Sequence, residues 1–290
     1  MNNLVLRSIT GTLFVAVLVG SILYGPLTFS LLFALITGLT LWEFSDNVNK
    51  YAGAAVNRLI NTTGGVYLFL AFTYYCSGFF NGGYADAFVF VPYLITTLFL
   101  TISELYLKHP DPLKNWAYAF ASQIYIALPF SLLNVLAYGY SNAAQAIEYV
   151  GVLPLSIFIF LWTSDTGAYC VGSLLHKKFP AKLFERISPN KSWVGSIGGG
   201  IFCLLVAALL HHLLQDIVPL SLPVWLGLGL TVCVFGTWGD LVESLFKRQL
   251  GIKDSGKILP GHGGMLDRFD SALLAIPAAV LYLYTVQFFS

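Results

Sequence analysis

Apolar residues run in long blocks along this chain, and polar residues gather at the breaks between them. A helix needs about 20 mostly apolar residues, each rising 1.5 Å, to cross a bilayer. Nine blocks approach that length, at about 4–24, 26–46, 59–80, 88–107, 115–138, 152–175, 194–214, 221–246 and 269–289. The breaks fall at Gly25-Pro26, at Asn81-Gly82-Gly83, at His109-Pro110-Asp111-Pro112, over 176–192, at Pro219, and from Lys253 to Asp270. This pattern predicts an all-α, polytopic integral membrane protein of about nine transmembrane helices, with spans 1–5 in residues 1–150 and spans 6–9 in 151–290. The first block follows Arg7 and could be read as a signal peptide, but further spans follow it without a soluble domain, so it is expected to be retained.

Composition excludes a soluble fold. The chain is 57% hydrophobic and 10% charged, against about 25% charged in soluble domains. So much apolar surface has to meet lipid. The four cysteines, Cys76, Cys170, Cys203 and Cys233, stand singly in apolar runs. Without a CxxC pair they indicate neither a zinc site nor a disulfide framework.

The charges orient the spans. All 15 Lys and Arg residues fall in the N-terminal segment or in the connections after spans 2, 4, 6 and 8. The other connections carry only acids: Asp86, Glu148 and Asp216. The positive-inside rule therefore places the N-terminus in the cytoplasm and the C-terminus outside. Lys177, Lys178 and Lys182 suit anionic lipid headgroups, and no nucleic-acid partner is expected.

Acids at membrane depth are costly and usually face a polar cavity. Asp165 lies inside span 6 and Asp240 inside span 8, while Asp267 and Asp270 open span 9. Asp240, Ser244 and Lys247 share one helix face, and Asp267 and Asp270 share another. Oxygen ligands converging at one depth suit a hard divalent cation such as Mg²⁺. The only histidine near them is His262, which argues against zinc. The same stretch holds Arg248, Lys253, Lys257 and Arg268 among Gly256, Gly261, Gly263 and Gly264. Acids for a metal, bases for anions and glycines for close approach describe a metal–polyphosphate site on the cytoplasmic side. A second basic loop leads through Lys191 and Ser192 into Gly195, Gly198, Gly199 and Gly200. It could bind phosphate oxygens at a helix N-terminus, or its glycines could pack helices as a GxxxG element.

The run SLFKRQLGIKDSGKILPGHGGMLDRFD, from Ser244, resembles the signature of the phosphatidate cytidylyltransferase (CDP-diacylglycerol synthase) family. Ser164-Asp165-Thr166 and Ser188-Pro189-Asn190-Lys191-Ser192 match further family positions, so the specific resemblance covers about 162–270. It implies a nucleotidyltransferase of phospholipid biosynthesis that makes CDP-diacylglycerol and pyrophosphate from CTP and phosphatidic acid with Mg²⁺. It implies Asp240 and Asp267 as metal ligands, and Asp165 and Asp270 as members of the polar site. Lys247, Arg248, Lys253 and Asp254 would lie with Lys191 and Ser192 around phosphates and nucleotide. Ser244, His262 and Arg268 complete the expected substrate contacts. A second, monovalent cation (K⁺), a homodimer and the plasma membrane of a bacterium are further expectations. Val194 stands where the family usually has Glu, so no role of that Glu carries over. Two rivals remain: a CTP-dependent polyprenol or other lipid kinase, in which an alcohol attacks the γ-phosphorus, and an ion-coupled transporter with Asp165 and Asp240 as relays.

Overall fold

A computed structural model describes residues 3–78, 86–141, 144–175, 177–258 and 263–289. Among them stand nine helical rods at the expected places: α1 (Asn3–Tyr24), α2 (Pro26–Tyr51), α3 (Arg58–Ser77), α4 (Val91–Leu107), α5 (Pro112–Ala137), α6 (Val152–Leu175), α7 (Trp193–Leu214), α8 (Leu222–Gln249) and α9 (Leu266–Phe289). Six of these, α2, α4 together with the 3-10 turn before it (Ala87–Phe90), α5, α7, α8 and α9, are long and apolar enough to cross a membrane. The protein is an all-α, multi-pass membrane protein. The expected Asn81-Gly82-Gly83 break and His262 lie outside the described residues.

Local chemistry sets the helix ends. Asn57 caps α3 by accepting from the Ile60 N–H at 3.2 Å, and Asp111 caps α5 by accepting from the Lys114 N–H at 3.1 Å. Each supplies one of the acceptors that a helix start lacks. The residues that face outward are apolar at helical spacing. On α2 these are Leu27, Leu31 and Leu35; on α7 they are Ile197, Ile201, Leu205, Leu209 and Leu213. Such continuous stripes are stable only against lipid.

The chain divides into two compact units, the first formed by Met1–Gly151 with Gln249–Phe269 and the second by Val152–Arg248 with Asp270–Ser290. The first unit's long segment ends at Gly151, and that unit also takes the segment after α8.

In the first unit Phe29, Phe33, Phe69, Phe130 and Phe269 are fully buried. Their rings meet at offset angles, Phe29–Phe33 at 5.0 Å and Phe130–Phe269 at 5.4 Å between centroids, the geometry that aromatic quadrupoles favour. Beside them runs a buried polar network. Asn61 donates to Ser45 Oγ (3.0 Å) and Ser122 Oγ (2.8 Å), and Gln123 donates to Asn61 Oδ1 (2.8 Å). Gln123 opens a π-helical turn, Gln123–Ala127, inside α5. A short hairpin, β1 (Tyr138–Ser141) with β2 (Ala146–Tyr149), follows α5. Tyr149 there donates its hydroxyl to Ile22 O at 2.8 Å, and burial pushes its phenol well above the usual range.

In the second unit α6 and α7 pack through small residues. A Cβ at Gly199 would come within 2.7 Å of Ser164 O, one at Gly195 within 3.0 Å of Ala168 O, and one at Gly198 within 2.5 Å of Val171 Cβ. These contacts are those of helix packing, one of the two roles expected for these glycines. Gly239 likewise lets α8 approach Ser271 of α9, where a Cβ would stand 2.9 Å from the Ser271 Cα. The 176–192 connection holds a second hairpin, β3 (Lys182–Phe184) with β4 (Ser188–Ser192), which leads directly into α7.

Candidate active site

Ser192 ends β4 and caps α7, its Oγ accepting from the Gly195 N–H at 3.2 Å. This cap fixes the chain as it leaves the hairpin, and with it Lys191. Lys191 Nζ then reaches α8, where it pairs with Asp240 Oδ2 at 2.5 Å and lies 3.4 Å from Thr237 O. The Asp240 side chain is one third exposed (33%) and the Lys191 side chain 24% exposed. Asp240 is also held from its own helix by Ser244, whose hydroxyl donates to Oδ1 at 3.2 Å. That contact follows the expected i, i+4 face.

Asp165, Asp240 and Asp270 lie within electrostatic reach of one another, and Lys191 and Lys247 are the neighbouring cations. Asp165 and Lys191 line a cavity of about 740 Å³, together with Ser164, Tyr169, Lys182, Asn190, Ser192, Ser196 and Thr237. That volume lies within the ordinary range for small-molecule sites, about 300–1,000 Å³. Its walls offer hydroxyls, an amide, two ammonium groups and a carboxylate. Such a lining suits a charged, hydrogen-bonding ligand better than a lipid tail. Asp270 Oδ1 accepts from the Ser271 N–H at 2.5 Å, which fixes the carboxylate near the start of α9.

Lys247, expected on the Asp240 face, instead pairs with Glu243 at 2.7 Å. Glu243 is completely buried. Arg248 is exposed at the end of α8.

The other expected residues belong to the first unit. Lys253, Asp254 and Arg268 are exposed. Asp267 Oδ2 accepts from the N–H groups of Ser255 and Gly264, both at 2.8 Å. Two acids of this unit were not singled out from the sequence. Glu43, on α2, accepts from the N–H groups of Met265 (2.9 Å) and Leu266 (3.1 Å). Glu104, on α4, meets His109 at 3.0 Å and accepts from Asn115 Nδ2 at 3.0 Å. Both stand inside apolar blocks, which is the same signal that picked out Asp165.

No group of three or more His, Cys, Asp or Glu side chains is ready to hold a metal ion among the described residues. The donor chemistry is nonetheless that of a hard cation, because Asp165, Asp240 and Asp270 offer carboxylate oxygens only. Asp240 already accepts a cation, the Lys191 ammonium. Mg²⁺ commonly takes one or two carboxylates and completes its shell with water and substrate phosphates, so a three-acid cage is not required.

A multi-pass membrane fold enclosing an acid- and lysine-lined cavity is the frame of an enzyme that handles charged substrates at a bilayer. The sequence model of the cytidylyltransferase family matches residues 5–286, and the chain belongs to that family. It is therefore a nucleotidyltransferase. It is 33% identical over 274 residues to a phosphatidate cytidylyltransferase of Staphylococcus aureus (strain COL), covering 93% of this chain and 95% of that one. Proteins of the same name from Staphylococcus epidermidis (strain ATCC 12228 / FDA PCI 1200) and Staphylococcus haemolyticus (strain JCSC1435) are 40% identical over 187 residues, 63% of this chain and 65% of theirs.

Proposed function

We propose that the enzyme transfers the cytidylyl group of CTP to phosphatidic acid, giving CDP-diacylglycerol and pyrophosphate. A phosphate oxygen of phosphatidic acid forms a bond to the α-phosphorus. The bond from that phosphorus to the bridging oxygen of the β-phosphate breaks, and pyrophosphate leaves with the electron pair. The nucleophile is already anionic, so no protein group needs to take a proton from it. The protein's task is positioning and charge neutralisation.

The observation that carries this reading is the Lys191–Asp240 pair beside a polar cavity. Lys191 would turn its ammonium to a substrate phosphate. Lys182 and the serine hydroxyls of the cavity would orient the nucleotide. Lys247, Arg248, Lys253, Asp254 and Arg268 are proposed to act on substrate phosphates, as the signature implies, with Asp165 and Asp270 as acids of the polar site. The signature also assigns Mg²⁺ to Asp240 and Asp267, and their carboxylate chemistry fits it. The ion would supply Lewis-acid neutralisation of the phosphate oxygens. The basic connections suggest an active site facing the cytoplasm, in the plasma membrane of a bacterium, and a homodimer with a neighbouring K⁺ belongs to the same proposal.

The test is product identity. Purified protein is given phosphatidic acid, Mg²⁺ and CTP labelled at the α-phosphorus. The label should enter lipid, with one pyrophosphate released for each lipid labelled. Unlabelled lipid here, with CDP released only in a parallel assay that supplies a polyprenol in place of phosphatidic acid, would instead identify a CTP-dependent lipid kinase.

A further inference from the structure

We infer that Glu43, on α2, is a positioning residue that fixes the Asp267 carboxylate through Ser255. This rests on the reading of Asp267 as a metal ligand. Glu43 is 7% exposed and Ser255 is 4% exposed. Glu43 stands within a span, where a carboxylate needs strong partners. It finds them 222 and 223 residues along the chain, in the N–H groups of Met265 and Leu266, whose donors would otherwise be left over at the start of α9. Glu43 Oε1 also meets the Ser255 hydroxyl. Ser255 in turn donates its N–H to Asp267 Oδ2 at 2.8 Å, the Gly264 N–H meets the same oxygen at 2.8 Å, and Ser255 Oγ, whose one proton serves Glu43 or Asp267 but not both, lies 2.9 Å from that oxygen and accepts from the Asp267 N–H at 3.3 Å. One turn after Glu43, Asn47 donates to Ser255 O at 2.7 Å and holds the serine from its other side.

This arrangement also accounts for two signature glycines. A Cβ at either Gly256 or Gly264 would overlap the Glu43 carboxylate. These two positions leave room for an acid of the protein itself rather than for a phosphate. Gly263 is needed for a different reason: its φ of 83° is left-handed, and a Cβ there would press on Asp267 Oδ2 at 2.5 Å. The result is a strut running from α2 through Ser255 to Asp267, which sets the rotation of the carboxylate before any ligand arrives. Partners of this kind, one shell out from a ligand, typically change metal affinity or activity by about 10–100-fold when lost.

The experiment uses the full chain in detergent micelles, with Mn²⁺ binding read by EPR as a probe for Mg²⁺, alongside steady-state kinetics. Glu43→Gln keeps the side chain's shape but turns an amide group toward N–H donors. It should weaken Mn²⁺ binding roughly tenfold and raise the Mg²⁺ needed for half-maximal rate by a similar factor. The KM for CTP at saturating Mg²⁺ should change less than about twofold, since the Glu43 carboxylate is buried and taken up by Ser255, Met265 and Leu266. Ser255→Ala breaks the strut at its middle and should reproduce the Mn²⁺ effect; it also serves if Glu43→Gln fails to fold. Glu104→Gln, at another buried acid of the same unit, should leave Mn²⁺ binding unchanged. If Asp267→Asn itself binds Mn²⁺ like the wild type, the metal-ligand reading fails and the inference falls with it. If Asp267→Asn weakens binding while folded Glu43→Gln or Ser255→Ala does not, the inference alone is overturned. An equal loss in Glu104→Gln would also overturn it, as a general effect of removing a buried acid.

Discussion

Glu43 and Asp240 are both carboxylates near the ends of membrane helices, and the protein treats them in opposite ways. Glu43 is buried among fixed donors, two backbone amides and a serine hydroxyl. Asp240 is one third exposed and holds the ammonium of a long, flexible side chain. A carboxylate whose two oxygens are both taken by fixed donors, as those of Glu43 are, cannot change partners without unfolding its surroundings, so it is suited to holding a loop in place. A carboxylate paired with a lysine can exchange that partner for a metal or let it move to a phosphate, so it is suited to chemistry. Charge at membrane depth thus marks two kinds of residue, and the partners decide which kind each is.

The sharpest way to break this comparison is Asp240→Asn. It should cut turnover by about 10³-fold or more, since a charge-stabilising group in such a site is worth about 10²–10³ or beyond. Its thermal unfolding should match the wild type, because the site is open and the shape is kept. Label transfer within tenfold of wild type at saturating Mg²⁺ would remove Asp240 from the machinery. Lys191→Ala should lower kcat and kcat/KM together by about 10²-fold, with little dependence on salt, as expected of a contact made in the transition state. A rise in KM with kcat intact would make Lys191 a binding residue only.

Gly198→Leu probes the frame instead of the chemistry. Its side chain would drive into Val171, and overpacking of this kind costs about 1–3 kcal/mol. The unfolding temperature should drop by several degrees, while the KM for CTP of the folded fraction stays within about twofold. An unchanged unfolding temperature would mean that the α6–α7 contact yields easily. The smallest effect is expected at Lys177 and Lys178, which are exposed. Each headgroup attraction is worth about 1 kcal/mol and is screened by salt. Replacing both with Ala should raise the apparent KM for phosphatidic acid severalfold at low salt and much less at high salt. A loss of kcat as deep as that of Lys191→Ala would place the whole 176–192 connection in the site.

Much of this was legible in the chain because lipid imposes simple rules. Block length locates the nine helices seen among the described residues, and the cost of acids in apolar surroundings draws attention to Asp165, Asp240, Asp267 and Asp270. What was not legible is pairing. Spacing along a helix gives a face and a depth, but not which other helix meets that face. Spacing groups Asp240 with Lys247 on α8, yet its cation comes from Lys191 at the end of β4. Lys247 turns to Glu243, an i, i+4 pair that helix geometry alone could have suggested. Glu43 carried the same signal as Asp165, an acid within an apolar block, but it lies far from the signature in sequence and only the fold brings it to Ser255. The two short hairpins and the π turn in α5 were also missed. Strands of three to five residues are too short to show a period, and a single inserted residue leaves the apolar block intact.

The central claim is that the cavity lined by Asp165 and Lys191 takes the nucleotide. Ser196 lines that cavity, and cysteine there is close to serine in size. A Ser196→Cys variant, with Cys76 and Cys170 replaced by Ser, would be labelled in sealed vesicles by a membrane-impermeant thiol reagent. CTP with Mg²⁺ should slow that labelling severalfold or more, while the same concentration of ATP should not. Labelling at the same rate with and without CTP would contradict the account.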